Sequence, residues 1–300
     1  MWPNPRIPYA PADARPRLET PGGRPLIVHV AVNVEVWPFD RPMPRGVLPP
    51  PHGRPSTPPD VPNWAWAEYG LRAGMPRILR LLRERGIRAS AFLNAAVVDL
   101  YPALMDAILA AGWELVGHGW VQRALKEEAD EEAVIRRSLE RLRALGPVRA
   151  WLGPGLAETD ATPDILRRHG VEFLHDWCVD DLPVWMRTAH GPMLAMPYAF
   201  ALNDVPMHVI DRACADEWER RVEASVAVLA EEARRQPRVM TLALHPHVIG
   251  VPYLFHRLQR SIAMLADRPD TVFMTSSEIG DWFIAAEGSA GAALAGADAR

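Results

Sequence analysis

The chain has 300 residues, a formal net charge of −4 and a hydrophobic fraction of 49%, enough length and apolar content to close one large core. The small acidic excess leaves no basic surplus to neutralise nucleic-acid phosphates. Two cysteines, Cys178 and Cys214, cannot form a disulfide scaffold, no apolar run nears the ~20 residues that span a bilayer, and the first residues lack the apolar stretch of a secretory signal, so the expectation is a cytoplasmic chain with a small-molecule substrate and neither nucleic acid nor membrane as partner.

Residues 1–24 read as an irregular arm rich in Pro and Arg, of a kind that either wraps a neighbouring subunit or stays disordered. LIVHVAVNV at 26–34 is a near-continuous apolar run, the mark of a buried strand. A long Pro-rich loop over 37–62 follows; loops of that length are functional or disordered. GMPRILRLLRER at 74–85 repeats its apolar residues at three and four and predicts an amphipathic helix stopped by Gly86. Strand 88–93, helix 101–111, strand 113–117, helix 129–144, strand 148–152, helix 162–169 and strand 171–176 come next. Residues 183–198 read as an extended excursion broken by prolines, then helix 214–235, strand 238–244, helix 254–266, strand 271–274 and helix 276–285. Residues 286–300 are small and predict a mobile tail, leaving 25–285 as a single domain. Strand and helix alternate throughout, which argues a parallel α/β sheet, open or closed.

The polar residues fall in register with that pattern. Asn33 and Glu35 end the first strand, His118 ends another, the Gly153-Pro154-Gly155 turn follows a third, Asp180 and Asp181 follow a fourth, and His245 and His247 end the strand RVMTLAL. Loops after strand C-termini gather on one face of a parallel sheet or barrel. Each residue alone reads as a cap or a hydrogen-bonded structural group; together they point to one site. Amide hydrolysis needs a positioned water, a base, an oxyanion stabiliser and an acid for the leaving nitrogen. Glu35 supplies a base or a ligand, His118 a ligand or an orienting group, and His245 or His247 an acid or a stabiliser. Trp37, Trp120 and Trp151 lie in or beside these motifs and suggest aromatic walls.

Four stretches carry a resemblance: VNVEVW at 32–37, GHGWVQ at 117–122, WLGPGLAETDATPDILRRHGVEFLHDWCVDDLP at 151–183 and LALHPHVIGVPYLFHRL at 242–258, with EYGLRAG at 68–74 and MPYAFALNDV at 196–205 adding to it. The chain resembles the polysaccharide deacetylase superfamily, in the branch of allantoinases and cyclic imide hydrolases. The resemblance implies a distorted (β/α)7 barrel of the polysaccharide deacetylase type, a homo-oligomer, and catalysis by Glu35, His118, His245 and His247. Substrate contacts fall to Asn33, Trp37, Trp120, Gln122, Pro154 and Asp181. Arg72 either binds a carboxylate or forms a surface ion pair; Asn203 and its neighbour Asp204 either bond substrate or brace a loop. The family's aspartates stand as Asn33 and Glu35, and its second ligand histidine as Gln122. A divalent metal such as zinc would therefore have only Glu35 and His118 as strong ligands, short of the usual three; without it, Glu35 is the leading base. The implied activity is hydrolysis of a cyclic amide, imide or ureide. The alternatives are N-deacetylation of an acetylated sugar, or ligand binding by a barrel that has lost catalysis.

Overall fold

The computed structural model describes residues 4–46 and 57–288. Most of the expected mobile tail, and residues 47–56 of the long loop, lie outside the described residues. The apolar run at 26–34 is strand β1, Leu26–Val34, and every one of its residues is buried. In chain order follow β2 (Ser90–Leu93), β3 (Glu114–Gly117), β4 (Ala150–Trp151), β5 (Phe173–Leu174), β6 (Val184–Met186), β7 (Met193–Ala195), β8 (Arg238–Leu244) and β9 (Thr271–Phe273). The sheet order is β6-β7-β5-β4-β3-β2-β1-β8, with β9 beside β1. All pairings are parallel except β6 with β7.

The sheet curls towards closure. The free side of β8 meets the segment before it: Val239 N donates to Asp181 O at 2.8 Å and Ala243 N to Leu202 O at 2.9 Å, and Asn203 bridges Ala243. The result is a distorted α/β barrel, as the alternating pattern and the resemblance imply.

The period of two along β1 sorts its side chains. Leu26, Val28, Val30, Val32 and Val34 join the outer core, with Met75, Ile78 and Leu82 of the helix Met75–Glu84. Ile27 and Ala31 face the barrel interior with Phe92, Val116, Phe173, Leu194 and Val239. Asn33 and Glu35 share the inward parity, one step beyond the apolar filling, at the strand's C-terminal end. Two polar groups thus reach the mouth of the barrel on the same alternation that fills its centre.

Two expectations change. The loop after β1 ends in an unforeseen helix, Val61–Tyr69, capped where the Asp60 side chain accepts from Asn63 N. A π-helical turn, Gly70–Gly74, joins it to Met75–Glu84. The N-terminal arm is irregular but lies on its own barrel: Arg6 pairs with Asp164 at 2.8 Å, Arg15 with Asp180 at 2.5 Å, and Leu18 is buried with the interior cluster. Among the described residues no helix is long and apolar enough to cross a membrane.

Candidate active site

Four side chains from three segments meet at the barrel mouth. Glu35 Oε1 lies 3.4 Å from His245 Nε2 and 3.9 Å from His118 Nε2. Glu35 Oε2 accepts from Trp37 Nε1 at 2.7 Å. His247 sits beside His245, ring centroids 5.8 Å apart, and against the Trp37 ring at 5.2 Å. All are buried. Glu35 and His245 approach across 210 positions of sequence because β1 and β8 are paired neighbours, with Val32 opposite Leu244.

Each imidazole has a distinct protonation environment. His245 Nδ1 lies 2.6 Å from Asp204 Oδ1, and Asp204 Oδ2 accepts from the His245 and Ile249 backbone N–H groups at 2.7 and 3.1 Å. Burial by itself lowers the His245 pKa, but Asp204 and then Glu35 overcome it and raise it to about 9. His245 is thus an imidazolium between two carboxylates at neutral pH. Burial likewise opposes charge on Glu35, yet the His245 imidazolium holds its carboxyl well below the usual carboxylate range. His247 is driven down to about 4 by burial, with Arg45 and His245 adding to the depression, and is neutral. His118 Nδ1 donates to Leu152 O at 2.7 Å, since a carbonyl only accepts. In the neutral ring that fixes the tautomer with the lone pair on Nε2, which is buried and without a hydrogen-bond partner.

The cavity above this floor has a volume of about 770 Å³, within the range of small-molecule sites. Asn33, Glu35, Trp37, His118, Gln122, Pro154, Asn203, His245 and His247 all line it. Trp120 lines an adjoining recess and carries the Arg137 guanidinium over its ring. Arg72 does not line the cavity: its side chain is 75% exposed and paired with Glu68 at 2.6 Å, which is the ion-pair alternative. Asp181 is also elsewhere. The chain reverses into antiparallel β6 after β5, so Asp181 abuts Val239 at the start of β8, the end opposite His245. Asn203 braces its own loop, with Oδ1 accepting from Val205 N at 3.0 Å.

Several functional residues escaped sequence reasoning. Asp204 was read only as a loop brace or substrate contact, yet it holds His245. Asn94 ties two motifs together, accepting from Val36 N at 2.8 Å and donating to His118 O. Tyr198 accepts from Asn33 Nδ2 at 3.0 Å, and Leu244 O accepts from the same amide at 3.3 Å, leaving Asn33 Oδ1 buried and unpartnered. EYGLRAG matters through its glycines: a Cβ on Gly70 would collide with the His247 backbone and one on Gly74 with the Pro246 carbonyl. Asn94, directly after the end of β2, and the paired glycines were open to sequence reading; Asp204, in the long connection between β7 and β8, was not.

Comparison with known proteins follows the same lines. Residues 66–174 match the polysaccharide deacetylase family. The chain resembles polysaccharide deacetylases in sequence and in fold. A Schizosaccharomyces pombe protein bearing the polysaccharide deacetylase name is 25% identical over 234 residues, 71% of this chain and 73% of that one. The solved structure of a probable polysaccharide deacetylase from Pseudomonas aeruginosa PAO1 superposes with a TM-score of 0.78 at 22% identity, covering 90% of this chain and 95% of the other. Puue allantoinase gives a TM-score of 0.80 at 22% identity, covering 95% and 98%. At these identities the two structures share the fold with this chain.

Polysaccharide deacetylase resemblance implies a divalent metal, and the donor set tests it. His118 is oriented as a ligand would be, with Nδ1 on a backbone carbonyl and Nε2 free. The remaining residues do not fit. Glu35 is engaged by Trp37 and faces the His245 imidazolium. Gln122, where the family has a second histidine, turns its Oε1 towards Asn94 Nδ2 at 3.3 Å, and Asn33 offers an amide in place of a carboxylate. Among the described residues no group of three or more His, Cys, Asp or Glu side chains is gathered for a metal ion. Amides are poor zinc ligands, and a catalytic zinc takes three protein ligands.

Proposed function

We propose that the protein hydrolyses a C–N bond in a cyclic amide, imide or ureide, using imidazoles in place of a metal. The observation that carries this reading is the Asp204–His245–Glu35 chain facing the bare Nε2 of His118. A separation of 3.9 Å between Glu35 Oε1 and His118 Nε2 is too long for a direct hydrogen bond but lets one water touch both. His118 Nε2 takes a proton from that water, and its oxygen adds to the substrate carbonyl carbon. His245 Nε2–H then protonates the nitrogen as the C–N bond breaks. Glu35 orients the water and, lying between the two imidazoles, returns the proton from His118 to His245. Its depressed pKa makes it a weak base, so the proton-accepting role expected of it passes to His118. Asn33 Oδ1 accepts a substrate N–H.

Such an apparatus suits a substrate whose nitrogen leaves readily, as in a strained or doubly acylated ring. The cavity walls of Trp37, Pro154 and Tyr198 suit a small planar ring. N-deacetylation of an acetylated sugar is the second reading, favoured by the family match over residues 66–174. Ring opening of hydantoins, allantoin and succinimides should be assayed beside acetate release from N-acetylated sugars, with and without added zinc. Ring opening unaffected by chelator is expected. Acetate release alone moves the assignment to the second reading, and no turnover by folded protein sinks both.

A further inference from the structure

We propose that Asp176 is a positioning residue that acts on His118 through a single peptide group. The proposal rests on the hydrolytic role given to His118 above. Leu152 C=O and Gly153 N–H are the two ends of one peptide bond. Asp176 Oδ2 accepts from Gly153 N at 2.8 Å, and Leu152 O accepts from His118 Nδ1 at 2.7 Å. A carboxylate pulling on the N–H end places more negative charge on the carbonyl oxygen, because bonds in such a chain polarise one another. The stronger acceptor confines the imidazole proton to Nδ1, and Nε2 keeps its lone pair aimed at Glu35. A carboxylate bonded directly to histidine fixes the tautomer in the same way; here a peptide plane stands between them.

The surroundings are built for this contact. The glycine at 153 leaves room for this approach: a Cβ there would come within 2.6 Å of Oδ1 and push the carboxylate aside. Gly153 has φ −68°, open to any residue, so the glycine serves proximity and not backbone shape. Asp176 Oδ1 is buried without a partner, and no cation pairs with the carboxylate among the described residues. The neighbouring Glu158 accepts from Trp177 Nε1 at 2.5 Å and leaves its own Oε2 buried and unpartnered. Burial raises the pKa of both acids, to about 8 for Glu158, where Asp176 adds to the rise against the Trp177 N–H bond, and only to about 6 for Asp176, which the Gly153 N–H bond holds down. The negative charge therefore belongs on Asp176, at the end of the relay, and the proton on Glu158. The sequence marks Asp176 only as part of LHDW, and no step of the hydrolysis uses it directly.

The test combines kinetics with ¹⁵N NMR of the histidine rings in the wild type, Asp176→Asn and Asp176→Ala, with folding checked by circular dichroism. In the wild type the His118 ring should show a protonated Nδ1 and a bare Nε2. Asp176→Asn keeps an acceptor for Gly153 N–H but loses the charge, so kcat should fall about ten-fold with KM little changed. Asp176→Ala should mix the two His118 tautomers and lower kcat further. Unchanged His118 ring shifts in folded Asp176→Asn and Asp176→Ala overturn the relay. If no protein, wild type included, turns over substrate but the shifts respond as described, the relay stands and the hydrolytic reading falls.

Discussion

At the scale of single residues the site is decided by which nitrogen carries a proton. Asp204 on one side and Glu35 on the other hold the His245 imidazolium to about 9. A group that must donate a proton works below its pKa, so hydrolysis should persist through neutrality and fall as pH rises through about 9. Asp204→Asn removes the larger of the two supports. Its kcat should drop by about 10²-fold, and the alkaline limb should move towards neutrality. A pH–rate profile of the two proteins checks this; an alkaline limb at the same pH in both removes His245 as the acid. Glu35→Gln keeps the shape and the Trp37 contact but loses the charge beside both imidazoles. It should lower kcat without abolishing binding of a competitive product analogue, measured by calorimetry.

At the scale of elements, the site depends on how closely the π-helical turn Gly70–Gly74 presses on the loop His245–His247. A Cβ at residue 74 meets the Pro246 carbonyl, which is backbone and cannot swing aside as a side-chain tip can. Gly74→Ala should cost about 1–3 kcal/mol as overpacking does, and should depress kcat more than that loss of stability alone explains, because His245 and His247 move with Pro246. Arg72→Ala, two residues away but exposed, should change stability by no more than about 0.5 kcal/mol and leave kcat intact. Thermal melts and kinetics of the pair separate the glycine's role from the arginine's. The same elements show what sequence could reveal. The near-continuous apolar run LIVHVAVNV placed Asn33 and Glu35 at a strand end, and β1–β8 pairing then carried Glu35 to His245. Three-residue β6 carries no periodicity long enough to announce its reversed direction, so Asp181 was assigned to the wrong end of the barrel. Asp204 stands 41 positions before His245, and no local pattern predicts a contact made by a loop folding over the sheet.

Across the whole molecule, the barrel interior below the site contains a second set of histidines whose chemistry is stability. His29 and His175 are fully buried, their rings stacked at 5.5 Å. His29 Nε2 lies 3.0 Å from Ser90 Oγ and His175 Nε2 2.7 Å from Ser276 Oγ, with Leu18 of the N-terminal arm and Phe283 packed in the same interior cluster. Burial lowers the His29 pKa to about 3, and burial together with His29 holds His175 well below the ordinary histidine range. An unfolded histidine takes a proton near pH ~6.5; these two refuse it while the barrel is closed. Below that pH the unfolded chain binds more protons than the native one, so stability falls as pH falls. Each histidine contributes a slope of about 1.4 kcal/mol per pH unit between the unfolded and folded values. Paired carboxylates such as Glu35 titrate lower and add their loss only in stronger acid. Between neutrality and about pH 5 these two rings pull the melting temperature down, against the opposite pull of Glu158 and Asp176, whose raised values of about 8 and about 6 let the native state hold protons that the unfolded chain does not. His29→Gln retains a polar partner for Ser90 and removes one titrating ring, so its decline should be shallower by about one proton's slope. Melts of both proteins across this range give the answer: equal slopes would mean that the interior admits a proton, and that the barrel opens beneath the site more readily than its packing implies.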